Sequence, residues 1–332
     1  MKLRITLLIL IVFLLAVFIS RKSLTTSTKV FLLVSEEFPQ IPIKPLHFFT
    51  QKPKTQKISF GEKDQKVIAD LFIPHASSKR PALIVAMGVK TSEKDKPTLL
   101  GFCDTLARLG FIVLWPRLDN LEKDIAKVED PQTFISAFNY LEQKDVVDKK
   151  RISFVGFSVG SSIAMVAAEE ESINDKAHGF VFFGGYFNIL DYLSYLATKT
   201  VEFDGRKIKW QPDNSAISHA KAILAREGLL LEQFSTINAL NRKQEKSILK
   251  FSPHQNIVEF KAPIFILHEK GDTFVPYFES IKLKRALEEK VPIIYHQANL
   301  FEHVQVQKGV SAKILGEFGG LFGFLYKVFA HL

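Results

Sequence analysis

The chain has 332 residues, of which 47% are hydrophobic and 24% charged, a composition typical of a globular protein that can bury a substantial core. Its single cysteine, Cys103, excludes an internal disulfide framework and a metal site built from several cysteines. The net charge is +9, but the first 57 residues carry nine basic and two acidic side chains, so the remainder is nearly neutral. This distribution argues against a nucleic-acid groove and favours anionic lipid headgroups near the amino terminus.

The amino-terminal segment MKLRITLLILIVFLLAVFISRK has a basic start and an uninterrupted apolar run from Ile5 to Ile19. A cleaved signal peptide would end in small residues, whereas Val17 and Phe18 stand at the candidate positions. The run is short for a bilayer span, and the flanking lysines and arginines can extend to the interface. We expect residues 1–22 to be an uncleaved, single-pass membrane anchor, with the rest of the chain on the extracytoplasmic side.

Residues 23–57 contain four prolines and are predicted to form a stalk or an extended lead-in. From residue 58 to residue 332, strand-like and helix-like segments alternate. Runs such as ALIVAMG and FIVLWPR are continuously apolar, as in strands covered on both faces. The alternation predicts an α/β domain with a mostly parallel central sheet and helices on both faces. Cys103 falls on the apolar stripe of one predicted helix and is interpreted as a core residue.

Nearly eighty residues between Gly185 and Pro263 interrupt this rhythm. Several of their segments have the spacing of amphipathic helices. An insertion of this length in a compact domain usually has a function. We therefore predict a helical cap over residues 186–262, above the carboxyl ends of the strands.

The stretch RISFVGFSVGSSIAMVAA places Ser158 between Gly156 and Gly160, at the junction of a predicted strand and a predicted helix. A Gly-x-Ser-x-Gly pattern alone is weak evidence, because it arises by chance in many chains. At a strand-to-helix turn, however, the glycines relieve backbone crowding and the serine hydroxyl is raised above the sheet. The positive end of the following helix also faces the place where negative charge would develop. Ser158 is therefore the candidate nucleophile.

A serine hydroxyl needs a base to remove its proton, and the base needs an acid to orient it. In IFILHEKGDTFVP, Asp272 lies just after a predicted strand, and in IIYHQANLFEHVQ, His303 lies in the loop after the next strand. The chain order serine, acid, histidine and the two loop positions agree with a catalytic triad on such a sheet.

These motifs resemble those of the α/β-hydrolase superfamily over residues 58–332, and most of all its dienelactone-hydrolase and prolyl-oligopeptidase-like serine esterases. The resemblance implies that Ser158 attacks an acyl carbonyl, that His303 accepts and returns the proton, and that Asp272 holds the imidazole. It also implies that the backbone N–H groups of Val159 and Val89 bind the oxyanion.

The chain departs from these relatives at three places. The loop Met87-Gly88-Val89-Lys90 has no His-Gly or Gly-Gly pair, and His268-Glu269 replaces the usual His-Gly before the acid. Ser158 stands where many dienelactone hydrolases have a cysteine, which favours ester or amide hydrolysis.

Other chemistry-bearing residues have simpler interpretations. His268 closes a strand and is interpreted as a support for the acid loop, and His296 as a packed residue at a strand end. Asp191 is an alternative acid. The histidines without ligand spacing predict no metal site: His178, His219 and His254.

The sequence thus predicts a membrane-anchored serine hydrolase that cleaves a small-molecule carboxylic ester through an acyl-enzyme, in the manner of a carboxylesterase and without a cofactor. A serine peptidase, an acyltransferase and a non-catalytic membrane-tethered scaffold on the same fold remain alternatives. Chain length and composition leave the oligomeric state open.

Overall fold

The computed structural model describes residues 23–38, 41, 43–61, 66–88, 96–118, 120–236, 240–302, 305–306 and 314–332. Residues 23–37 are helical and are called α1. The other helices are α2 (Leu46–Phe49), α3 (Lys96–Arg108), α4 (Asp130–Glu142), α5 (Ser158–Ala168), α6 (Ile189–Thr198), α7 (Asn214–Arg226), α8 (Arg242–Leu249), α9 (Phe278–Leu287) and α10 (Ile314–His331). The strands are β1 (Lys54–Phe60), β2 (Val67–Ile73), β3 (Arg80–Ala86), β4 (Ile112–Pro116), β5 (Val147–Phe157), β6 (Gly179–Phe183), β7 (Thr200–Phe203), β8 (Arg206–Lys209), β9 (Ile264–Glu269), β10 (Ile293–Ala298), β11 (Phe301–Glu302) and β12 (Gln305–Val306).

The central sheet has eight strands in the order β1-β2-β4-β3-β5-β6-β9-β10. The strands β4, β3, β5, β6, β9 and β10 are parallel, whereas β2 pairs antiparallel with both β1 and β4. The prediction of a mostly parallel sheet surrounded by helices is confirmed. We call the edge at the carboxyl ends of the parallel strands the upper edge, and the opposite one the lower edge.

Helices cover both faces of the sheet, which explains why β4 and β6 are buried along their whole length. On one face, α4, α5 and α9 pack on side chains such as Ile84 and Phe154. On the other, α1, α3 and α10 pack on side chains such as Leu83 and Val155. Cys103 of α3 is 1% exposed, in agreement with its interpretation as a core residue.

The helix α1 is part of the domain. Val30, Leu33 and Val34 are buried in the same cluster as α3 and α10. At the lower edge, the Tyr326 hydroxyl of α10 donates a hydrogen bond to the Ser23 hydroxyl at 3.1 Å. The segment predicted as a stalk or extended lead-in therefore packs on the sheet, because the apolar side of α1 covers surface that α3 and α10 leave open.

The segment between β6 and β9 forms the cap. Its helices α6, α7 and α8 share an apolar cluster with Val275 of the body, which is fully buried. The segment also holds the antiparallel hairpin β7–β8, which the helical spacing did not predict. Asn188 and Asp213 start α6 and α7 as N-caps, since each side chain accepts a backbone N–H of its helix.

Within the described ranges, no helix is both long and apolar enough to cross a bilayer. Residues 1–22, to which the sequence analysis assigns the anchor, lie outside those ranges.

Candidate active site

Ser158 occupies a sharp turn at the upper edge of the sheet. It is the first residue of α5 and follows directly on β5, with a backbone φ of 52°. An L-residue other than asparagine or aspartate rarely adopts this left-handed conformation, and such strain is common at functional sites. The geometry is that of the serine in a strand-turn-helix nucleophile motif.

The two glycines of the motif are required by close backbone approach. A Cβ on Gly156 would lie 2.5 Å from the Cα of Ser161, and one on Gly160 would lie 2.1 Å from the carbonyl oxygen of Met87. Neither position has room for a side chain. The turn that exposes Ser158 therefore depends on both glycines, as the pattern predicts.

The loop after β3 lies directly beside the nucleophile. A Cβ on Gly88 would be 2.9 Å from the Cβ of Ser158 and 3.1 Å from its Oγ. Val159 is the second residue of α5, where backbone N–H groups have no partner within the helix. Val89, the other residue expected at the oxyanion, lies outside the described residues.

Asp272 lies in the turn after β9 and is 3% exposed. Its Oδ1 accepts hydrogen bonds from the backbone N–H groups of Phe274 at 2.7 Å and Val275 at 3.0 Å. Its Oδ2 is 3.3 Å from Nε2 of His268. These contacts fix the orientation of the carboxylate, as a residue that orients a base requires.

His303 lies outside the described residues, so the predicted contact between the imidazole and Ser158 stays a prediction. The chain leading to it is described. Phe301 lines the same cavity as Ser158 and packs edge-on against Phe183, with ring centroids 5.0 Å apart. The Glu269 carboxylate accepts the N–H groups of Leu300 and Phe301 at 2.8 and 2.9 Å, and thereby ties this loop to the end of β9.

The rival residues have structural partners. His268 is fully buried, and its Nε2 is 3.0 Å from the carbonyl oxygen of Val275, beside the acid. His296 stacks on Phe324, and burial lowers its pKa. Asp191 forms an ion pair with Lys282 at 2.6 Å and is not among the described residues that line the cavity of Ser158.

That cavity has a volume of 1590 Å³, above the roughly 300–1,000 Å³ of ordinary small-molecule pockets. We divide its lining into two arms according to the elements that supply the residues, and Ser158 also lines the cavity. The cap arm lies between the body and the cap, and its walls include Tyr192, Ala220, Leu224, Ile248 and Phe251. The sheet arm lies between the sheet and α1, α3 and α10, and its walls include Leu33, Leu106, Val155, Val181, Phe324 and Leu332.

Solved structures of similar architecture are hydrolases and peptidases. A puromycin hydrolase superposes with a TM-score of 0.57 and 16% identity over 87% of this chain and 40% of its own. A 2,6-dihydroxy-pseudo-oxynicotine hydrolase gives 0.56 and 15% over 83% and 68%, respectively. Dipeptidyl peptidase 4 of Porphyromonas gingivalis gives 0.56 and 14% over 83% and 36%. The chain has the α/β-hydrolase fold.

No family model matches this α/β-hydrolase chain. A curated relative, a probable 2-oxo-3-(5-oxofuran-2-ylidene)propanoate lactonase of Bradyrhizobium, is 28% identical over 162 residues. The match covers 43% of this chain and 60% of the lactonase, less than two thirds of that protein. The lactonase and the structural neighbours named above are hydrolases or peptidases, and the structural likeness shows the fold.

The candidate site includes contacts that the sequence did not predict. Nδ1 of His219 in α7 is 2.6 Å from Oδ1 of Asp124, and His219 lines the cap arm. The indole N–H of Trp210 donates to the carbonyl oxygen of Asp272 at 2.9 Å, which joins the cap to the turn after β9 that holds Asp272, here called the acid turn. No sequence signal marks these pairs, because 95 and 62 residues separate their members.

Across the described part of the chain, no group of three or more histidine, cysteine, aspartate or glutamate side chains is placed to hold a metal ion.

Proposed function

We propose that the chain is a membrane-anchored serine hydrolase that cleaves carboxylic esters through an acyl-enzyme. The observation that carries the proposal is the left-handed backbone of Ser158 at the head of α5, beside Gly88 and in the lining of the cavity. Asp272, already held by backbone N–H groups, serves as the acid of the triad, and His303 as its base.

The reaction has two steps. His303 takes the hydroxyl proton as Oγ of Ser158 attacks the ester carbonyl, and returns it to the departing alcohol. Water then attacks the acyl-enzyme by the same route, which releases the acid and restores the serine. The N–H groups of Val159 and Val89 stabilise the oxyanion, supported by the positive end of α5. The steps require no cofactor.

The lower edge of the sheet suits a membrane surface. Residue 23, where the anchor joins the domain, lies there. The helix α2, which precedes the start of β1 at this edge, exposes Phe48 by 84% and Phe49 by 79%, and aromatic side chains are typical of membrane–water interfaces. Exposed lysines at the same edge can face anionic headgroups: Lys52, Lys79, Lys149 and Lys150. The anchor then holds the upper edge, with Ser158, away from the bilayer.

A fluorophosphonate probe and a panel of esters, lactones and peptide substrates test the chemistry. Lactones are included because they are cyclic esters, the class named for the Bradyrhizobium relative. We expect the probe to label Ser158, and Ser158→Ala to lose both labelling and ester hydrolysis while it keeps its melting temperature. A folded wild-type chain that neither reacts with the probe nor turns over any substrate would favour the scaffold alternative. Faster turnover of peptides than of esters would favour the peptidase.

A further inference from the structure

The two arms of the cavity differ in chemistry. Among the described residues that line the sheet arm, only Glu37 and Thr98 are polar. The cap arm holds a mixed set of polar side chains: Ser215, His219, Asn241, Lys243, Gln244 and Ser247. The cavity that Ser158 lines therefore has an apolar compartment and a compartment that can offer hydrogen bonds.

The sheet arm is lined by buried residues along much of the last helix. Leu321, Phe324, Val328 and Leu332 line it in succession along the last helix, and each is at most 3% exposed. At a rise of 1.5 Å per residue, the path from Leu321 to Leu332 spans about 16 Å. The arm thus extends from the upper edge, where Ser158 lies, towards the lower edge of the sheet.

We propose that the sheet arm binds the long linear acyl chain of the ester and that the cap arm receives its polar alcohol, an inference that rests on the proposed function. A compartment of this length with an almost wholly apolar lining matches an unbranched hydrocarbon, since every methylene that it buries adds a favourable contribution to binding. The reacting carbonyl lies at Ser158. The substrate class is thereby an ester of a long-chain fatty acid with a polar alcohol.

The test compares kcat/KM for p-nitrophenyl laurate and p-nitrophenyl butyrate. The wild type should prefer laurate by at least about tenfold, which is 1.4 kcal/mol. Val181→Phe places a ring in the sheet arm and should lower the laurate-to-butyrate ratio at least about tenfold. Val113→Phe is the matched control, because Val113 is fully buried on the same face of the sheet but does not line the cavity. It should leave the ratio unaltered.

A wild-type chain that hydrolyses butyrate through Ser158 without preferring laurate would overturn this inference and leave the proposed function standing. So would a fall in the ratio caused by Ala220→Phe in the cap arm but not by Val181→Phe. Melting curves for each variant show whether an altered ratio comes from misfolding or from a ring that fills one arm of the cavity.

Binding provides a readout that does not depend on turnover. We expect cis-parinaric acid, a linear fluorescent fatty acid, to bind Ser158→Ala with a rise in emission, and the added Val181→Phe to weaken that binding at least about tenfold. If the chain has no hydrolytic activity but this binding is observed, the proposed function fails and the acyl-chain site stands. Absence of binding by the folded variant would contradict the site.

Discussion

At Ser158, the backbone adopts an unfavourable left-handed conformation that exposes the serine hydroxyl group. The φ of 52° carries a cost of order 1–3 kcal/mol for a residue with a side chain, which the surrounding packing must offset. Gly156 and Gly160 allow that packing, because both lie where even a methyl group would collide with neighbouring atoms. The geometry of this turn therefore depends on residues without side chains as much as on the serine.

Gly160→Ala should destabilise the fold by about 1–3 kcal/mol, because the new Cβ meets the Met87 carbonyl group, a part of the backbone that cannot turn aside. Gly101→Ala in α3 is the control. Nothing lies within 4 Å of a Cβ there, and alanine favours a helix over glycine by about 1 kcal/mol. Urea unfolding of both variants measures the difference. Equal stability of the two variants would show that the turn at Ser158 tolerates a side chain at Gly160.

The Glu37 carboxyl group is set among apolar side chains of the sheet arm, and burial raises its pKa from 4.5 to about 7. A hydrogen bond from Thr105 and the charge of Lys44 oppose this rise, and Glu36 adds to it. The folded state therefore binds its proton more tightly than the unfolded state, so this group costs stability as pH rises through that interval.

Glu37→Gln should remove this cost. The free energy of unfolding of the variant should rise relative to that of the wild type between about pH 5 and about pH 8. At lower pH, the free energies of unfolding of the two proteins should become equal. Chemical denaturation across this range gives the curves. Glu171→Gln, at an exposed site, controls for the loss of a carboxylate. Parallel wild-type and Glu37→Gln curves would contradict the assignment.

At the scale of elements, two turns at the upper edge are held by buried polar contacts across the sheet. The acid turn after β9 is tied to the cap by Trp210 and to its own strand by His268. The loop after β10, which leads to His303, is tied to β9 by Glu269. The replacement of the usual glycine by Glu269 thus has a structural role, because its carboxylate satisfies two backbone N–H groups.

Glu269→Gln should lower kcat about tenfold with little change in KM, since a neutral amide oxygen holds the two N–H groups of the loop that leads to the proposed base less tightly than a carboxylate oxygen does. Glu279→Gln is the matched control, because Glu279 is also buried and accepts two backbone N–H groups, those of Phe187 and Asn188. We expect it to lower the melting temperature without the selective loss of kcat. Steady-state kinetics and melting curves distinguish the variants. Equal effects of Glu269→Gln and Glu279→Gln on kcat would show that Glu269 does not act specifically on the loop that leads to His303.

The elements near the site differ in how well the sequence could predict them. The turn at Ser158 and the position of Asp272 after a strand were predictable, because local spacing and chain order determine them. The burial of α1, the β7–β8 hairpin and the His219–Asp124 pair were not. Each depends on contacts between segments that are distant in the sequence. The periodicity of apolar residues within one segment does not predict such contacts.

At the scale of the whole molecule, the chain has two edges with different surroundings. The upper edge carries Ser158, the acid turn and the cap, whereas the lower edge carries residue 23 and the exposed rings of α2. If residues 1–22 are in a membrane, the lower edge faces the lipid headgroups and the cap faces water.

Lysine acetylation read by mass spectrometry tests this orientation in the full chain, in anionic vesicles and in neutral detergent. We expect the lower-edge lysines to lose reactivity in vesicles because headgroups cover them: Lys52, Lys79, Lys149 and Lys150. Lys207 and Lys209, exposed on the β7–β8 hairpin of the cap, should react equally in both. Protection of the cap lysines with free reaction at the lower edge would reverse the orientation.

The position of α1 also determines where the protein can be shortened. A version that starts at residue 58, the first residue of the recurring strand–helix pattern, would lack α1, whose Val30, Leu33 and Val34 are buried in the cluster on one face of the sheet, and would also lose the first four residues of β1. A version that starts at residue 23 lacks the apolar run from Ile5 to Ile19 but keeps α1. In this shorter form, α1 still closes its side of the sheet arm.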